Sequence, residues 1–250
     1  MKKYLIVLIP IVIIITVLIM IYFFSPIKIP VITYHDFVYQ NKENNMQISK
    51  KEFEEEMKYL HNHHYKTLKL KDIECFIKNK CKLPRKSVLI TMDDGWKSEL
   101  EIAVPILKKY NLNATIFYVG ENYEGKNKNF MDKADLELIK EKYPNIELAS
   151  HSYQLHYEDA YKLGKEEIKK DIDNMEKILN SKYYAYPYGK YSQEYIKALK
   201  EKGYTLAFTF GPDKAHRKAS NKDTPYLIPR LNMSSGIPMW KFILRLNWYR

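Results

Sequence analysis

Glycine and cysteine are scarce, with eight of the first and two of the second in 250 residues. Cys75 and Cys81 form no Cys-x-x-Cys pair, which argues against a cysteine-based zinc site and a dithiol redox motif. A disulfide between them is chemically allowed in an oxidising compartment, but their spacing does not establish one. No Gly-x-Ser-x-Gly elbow is present, so a serine-nucleophile hydrolase is not expected. There is no nucleic-acid-binding signature, no linker-like tract and no repeat at a period of 20–50 residues.

Long apolar runs are absent except for one. Residues 4–24 carry no charge. As a helix this run reaches roughly 31 Å at 1.5 Å per residue, which matches a bilayer core of about 30 Å. Lys2 and Lys3 precede it, so the positive-inside rule places the rest of the chain outside the cell. The run is longer than a cleaved signal's apolar region, and no small-x-small site precedes Ser25 and Pro26. Pro10 removes one helical hydrogen bond, which bilayer helices tolerate. The expectation is an uncleaved anchor over residues 1–28 and one extracellular domain over residues 29–250, large enough to bury its own core. The net charge of +11 fits a solvated lysine-rich surface or attraction to an anionic envelope. Nucleic acid is not an expected partner.

Within the domain, apolar runs at residues 29–34, 88–92, 114–119, 146–149, 183–186, 206–210 and 226–228 read as short buried strands. Helical patterns separate them. Ser49 with Glu52 three residues on is a capping box, followed by Phe53, Met57 and Leu60 at helical spacing. Further helices are expected at residues 98–110, 133–141, 165–179 and 192–202, the last ended by Gly203. This alternation predicts an α/β fold, and seven strands favour a closed or nearly closed parallel barrel. In such barrels function gathers at the C-terminal ends of the strands.

Four strand ends carry chemistry. The second runs into Thr91-Met92-Asp93-Asp94-Gly95. Adjacent carboxylates repel unless a positive group binds them, although Asp and Gly are also plain turn formers. The fourth runs into His151 and His156, five residues apart. On a straight helix this spacing separates the rings by about 140°, so only a folded-back loop can bring both to one ion. The fifth ends in Pro187-Tyr188-Gly189, a turn able to point a backbone N–H into a site. The first ends in Tyr34-His35-Asp36, and His35 suits proton transfer near neutral pH.

Taken together, these motifs resemble the NodB-homology polysaccharide deacetylases of carbohydrate esterase family 4. Thr91–Gly95 is similar to the family's T-F-D-D-G motif, with Met92 in place of Phe. His151–His156 is similar to the longer His-Ser-x-x-x-His form found in the branch that acts on poly-β-1,6-N-acetylglucosamine, the intercellular adhesin of biofilms. Pro187–Gly189 is similar to the third motif. The resemblance implies a distorted (β/α) barrel with Asp93 as general base and Asp94, His151 and His156 as metal ligands. The Tyr188 N–H, beside Pro187, would serve the oxyanion. The implied cofactor is a divalent metal, zinc before nickel, cobalt or iron. The implied partner is an extracellular amino-sugar polysaccharide.

Two departures stand out. Ala185 replaces an Arg common two residues before the third motif's Pro, and the stretch 227–233 lacks the usual late His. The adhesin-deacetylase branch has a His in an N-terminal Tyr-His motif that Tyr34-His35 resembles, so the resemblance implies His35 as the acid, and Arg230 is the expected substitute for the missing Arg. Trp96 is expected to stack on a sugar or wall the acetyl pocket. His61, His63 and His64 read as a solvated helix end, and residues 239–250 as a basic, aromatic segment packed on the barrel or touching membrane. Three rival readings are a deacetylase of peptidoglycan or chitin-type polymers, an inactive sugar-binding protein, and a non-haem iron enzyme, since two His and a carboxylate also suit iron(II).

Overall fold

The computed structural model describes residues 10–17, 20, 24–40, 43–209, 217–233 and 235–247. Of the expected anchor, residues 10–17 are helical, while residues 1–9, 18–19 and 21–23 lie outside the described set. Among the described residues no helix is long and apolar enough to cross a membrane.

The domain begins with β1 (Lys28–Ile29), β2 (Val31–Tyr34), β3 (Asp36–Val38) and β4 (Gln47–Ser49). Next come α1 (Lys50–Asn62), β5 (Lys66–Thr67), α2 (Leu70–Ile77) and β6 (Ser87–Asp94). A π-helical turn at Glu99–Ala103 then leads into α3 (Val104–Lys109). Further on lie β7 (Ala114–Tyr118), α4 (Lys133–Lys142), β8 (Ile146–Ser150), α5 (Lys165–Glu176), β9 (Tyr183–Ala185) and α6 (Gln193–Glu201). The chain continues through β10 (Leu206–Thr209), β11 (Ala219–Ser220), β12 (Ile228–Pro229), β13 (Leu231–Asn232) and α7 (Met239–Asn247).

The main sheet runs β12-β10-β9-β8-β7-β6-β2-β13, every pairing parallel, with β5 also on β6. Its two ends are consecutive in sequence. One segment pairs with β10 through Ile228–Pro229 and with β2 through Leu231–Asn232. The sheet therefore wraps into a distorted, nearly closed barrel of seven staves, and Arg230 lies at the seam. All seven expected strands are found. Phe210, the last residue of the sixth expected run, lies outside the described residues.

Side-chain alternation fills the barrel. Val31, Leu89, Phe117, Ala149, Ala185, Phe208 and Ile228, one from each stave, share one apolar cluster. Their neighbours Ile32, Ile90, Met92 and Ile116 pack in a second cluster with residues of α1, α3 and α4. Met92 therefore lies in the outer layer, where an unbranched side chain fits as readily as Phe. The helices start as the sequence suggests: Ser49 and Glu52 form the reciprocal capping box, and Asp132 and Ser192 cap α4 and α6.

The C-terminal segment packs on the barrel as α7, burying Phe242 and Leu246 while Trp240 stays 63% exposed. His61 and His63 bond carbonyls around the end of α1 and remain exposed. Cys75 and Cys81 are joined as a disulfide.

On the apolar face of α1, between Phe53 and Met57, Glu56 is buried and accepts a hydrogen bond from the Tyr34 hydroxyl at 2.6 Å. Burial pushes its carboxyl up to about 8. In the unfolded chain it ionises at the ordinary value, so stability drains away as pH rises from about 4.5 to 8. Glu56→Gln is expected to gain on the parent across that window by up to about 1.4 kcal/mol per pH unit. Urea unfolding of both proteins at pH 5 and pH 8 measures this, and an unchanged difference between them would refute it.

Candidate metal centre and active site

β6 delivers both aspartates. Inward-facing positions alternate through Leu89 and Thr91 to Asp93, which is 1% exposed at the mouth. Arg230 grips it with Nη1 2.6 Å from Oδ1 and Nη2 2.7 Å from Oδ2, and Nη1 also donates to Thr33 Oγ1 at 3.2 Å. The guanidinium lies 5.6 Å over the Phe117 ring and is itself fully buried. Burial opposes ionisation of Asp93, but the charge of Arg230 prevails and lowers its pKa. The position of Arg230 thus matches the role expected from the sequence. Ala185 is packed in the barrel's apolar cluster, and the compensating charge enters from the seam.

Asp94 turns away from that pair. Its φ of 83° and the 80° of Gly95 put two successive residues in the left-handed region. A Cβ at position 95 would meet the Tyr118 ring at 2.4 Å, so glycine is required for space as well as for φ. The turn aims Asp94 Oδ1 at His156 Nε2 (3.0 Å) and His151 Nε2 (3.5 Å). Ligand atoms of these three residues lie within 4.8 Å of one another.

The histidines come from a loop, as their spacing demands. His151 follows β8, and its N–H bonds the Tyr118 carbonyl. Ser152 at φ 76° reverses the chain. Asp171 of α5 then accepts the N–H groups of Tyr153 (2.8 Å) and Gln154 (2.7 Å), which returns His156 to the mouth. His151 Nδ1 lies 2.8 Å from the Ala185 carbonyl, so Nε2 is left to face an ion. The His156 ring stacks on Tyr188 at 5.2 Å. Burial works against charge on Asp94, but the hydrogen bonds from His151 and His156 hold it well below the carboxylate range. Burial likewise opposes charge on His156, and Asp94 outweighs it, raising that pKa. One oxygen and two imidazole nitrogens converging on one point fit a divalent metal.

His35 sits where β2 ends, with Nε2 4.0 Å from Asp93 Oδ2. Burial lowers its pKa, against the pull of Asp93 and Asp94. Asp36 fixes this corner by accepting from Ser98 Oγ and Gln47 Nε2, both at 2.7 Å. Pro187-Tyr188-Gly189 forms a tight turn with Tyr188 at φ 55°. A groove of about 860 Å³ joins these groups, with Trp96, Tyr188, Asn129 and Met46 in its walls. Eight of the nine candidate residues line it, and Pro187 is buried at the start of the turn that carries Tyr188. Asp171, Asp36, Gln47 and Ser98 escape sequence reasoning. The signal for Asp171 is a lone carboxylate between Ile168 and Ile172 on a helix's apolar stripe.

Known proteins resemble this chain in sequence and in fold. Residues 80–207 match the polysaccharide deacetylase family. YxkH of Bacillus subtilis, described as a polysaccharide deacetylase, is 29% identical over 219 residues, covering 85% of this chain and 74% of its own length. The poly-β-1,6-N-acetyl-D-glucosamine N-deacetylase of Staphylococcus aureus is 32% identical over 218 residues, covering 80% and 73%. The solved Streptococcus pyogenes deacetylase PplD shares the fold with a TM-score of 0.79, at 19% identity over 89% of this chain and 99% of that one. The chain is therefore a hydrolase acting on amide C–N bonds. It belongs to the polysaccharide deacetylases, which are metalloenzymes in general.

Because His156 must lose its proton to bind an ion, metal uptake below its raised pKa should release that proton. Apparent affinity for Zn²⁺ is expected to fall by up to about tenfold per pH unit as pH drops below that raised pKa. Calorimetric titration in buffers of different ionisation enthalpy reads the released proton directly. Uptake without proton release at pH 6 would contradict the assignment of His156.

Proposed function

We propose that this protein removes N-acetyl groups from an extracellular poly-β-1,6-N-acetylglucosamine, leaving free amines and releasing acetate, and that the apolar run at residues 4–24 tethers it to the membrane. The observation that carries the reading is the Asp94–His151–His156 cluster standing beside a carboxylate, Asp93, that Arg230 keeps ionised. The five-residue histidine spacing and the relationship to the staphylococcal enzyme favour this polymer over peptidoglycan or chitin.

Asp94 Oδ1, His151 Nε2 and His156 Nε2 would hold a divalent metal, zinc being the expected one. When bound, it supplies Lewis-acid polarisation of water and of the acetamide oxygen. The remaining steps fall to side chains and backbone. Asp93 Oδ2 takes the proton of the attacking water while Arg230 keeps the carboxylate oriented. The Tyr188 N–H donates to the oxygen that gains negative charge. His35 protonates the departing nitrogen. Burial lowers the pKa of His35, so its proton arrives during turnover, and Asp93 Oδ2 lies 4.0 Å from its Nε2. The C–N bond breaks, and water contributes hydroxyl to the acetate and hydrogen to the amine.

Acetate release from poly-N-acetylglucosamine by the zinc-loaded protein tests this. Asp93→Asn and His156→Ala are expected to abolish activity. His35→Gln should lower kcat by roughly 10²–10⁴-fold with little change in KM. Unchanged rates in Asp93→Asn and His156→Ala would sink the site. Release from peptidoglycan or chitin oligomers alone would move the substrate assignment to those polymers.

A further inference from the structure

Asp94 has two carboxylate oxygens, and each imidazole makes its ion pair with Oδ1. Oδ1 lies 3.0 Å from His156 Nε2 and 3.5 Å from His151 Nε2. Oδ2 instead accepts a hydrogen bond from the indole Nε1–H of Trp96 at 3.1 Å. The indole is itself held firmly. It packs against Phe130 with ring centroids 4.3 Å apart and planes tilted by 31°, and Trp96 and Phe130 form an antiparallel backbone bridge. On either side of that bridge, Lys97 N–H bonds Asn129 O and Met131 N–H bonds Gly95 O, both at 2.8 Å.

We infer that Trp96 is a positioning residue for the metal centre: its N–H ties up Oδ2 of Asp94, so that Oδ1 alone is presented to the ion. This rests on the reading of Asp94, His151 and His156 as metal ligands. Each ligand then has its own orienting contact. His151 is set by the Ala185 carbonyl, His156 by the Tyr188 ring, and Asp94 by the Trp96 indole. Contacts of this kind fix which ligand atom faces the metal, and losing one typically lowers metal affinity by about 10–100-fold. A carboxylate pinned to one-oxygen binding also leaves more of the ion's coordination sphere for water and substrate. The role differs from a sugar-stacking platform, which would need the indole face rather than its N–H edge. Phe130 already packs against that ring, tilted by 31°.

Trp96→Phe separates the two roles, because it keeps an aromatic ring against Phe130 and removes only the N–H and part of the ring. Zn²⁺ dissociation constants, measured by competition with a chromophoric chelator, are expected to weaken by about tenfold or more in the variant. KM at saturating zinc should change by less than about threefold. Equal or tighter zinc binding would overturn the inference, as would a variant whose only defect is a raised KM. If wild-type protein fails to bind Zn²⁺ at all, the metal-ligand reading falls first, which distinguishes the two failures.

A second measurement does not depend on the variant folding. The ¹⁵N–¹H indole signal of Trp96, assigned by elimination with Trp240→Phe and Trp248→Phe, should exchange slowly with water in metal-free and zinc-loaded wild type. Exchange as fast as that of the exposed Trp240 would refute the hydrogen bond and the inference with it.

Discussion

A guanidinium and a carboxylate, both sealed from water, meet where the barrel closes. Removing charges from water costs several kcal/mol per ion, and only near-ideal geometry repays it. Arg230 and Asp93 meet that condition with two parallel hydrogen bonds, a third to Thr33 and an aromatic ring beneath. The geometry exists only if the last stave pairs with β10 on one side and β2 on the other. Barrel closure and the ionisation of the proposed base are thus one structural event. Everything at the mouth is arranged around the fixed negative charge that results.

The site extends outward from that pair in order of increasing solvent contact. Asp93 is sealed, Asp94 sits at the rim of the turn, and His156 is partly exposed on its loop. Each is held by a different group: Asp93 by Arg230 at the seam, Asp94 by Trp96 in the turn after β6, and the loop of His156 by Asp171 of α5. Burial alone would neutralise both carboxylates. They stay charged because every one of their oxygens has a cationic or hydrogen-bonding neighbour. That is the condition for one carboxylate to hold a metal while the next accepts a proton.

Much of this can be read from the sequence because parallel strands buried on both faces appear as unbroken apolar runs. All seven runs become staves, and the Asp-Asp-Gly, His-x-x-x-x-His and Pro-Tyr-Gly segments fall at the mouth. The pieces that escape are short or remote. α2 has eight residues and β3 and β4 three each, too few for a period to emerge. The tether from Tyr153 to Asp171 joins a loop to a helix face, and no local pattern marks it. Trp96 is a subtler case. An aromatic residue beside an active-site motif suggests a sugar platform or a pocket wall, and Trp96 does line the groove, but its hydrogen bond to Asp94 has no local signal. Residue type reveals the ring but not which part of it is used.

The seam also sets an order in time. Synthesis runs from the N-terminus, and folding can begin before the chain is complete. Staves from β2 to β10 can gather while residues 228–232 are still being made, but Asp93 then has no counter-charge and the barrel has an open edge. A nascent chain therefore holds Asp94, His151 and His156 before it holds the counter-charge of Asp93. That counter-charge comes with the segment that also shuts the barrel.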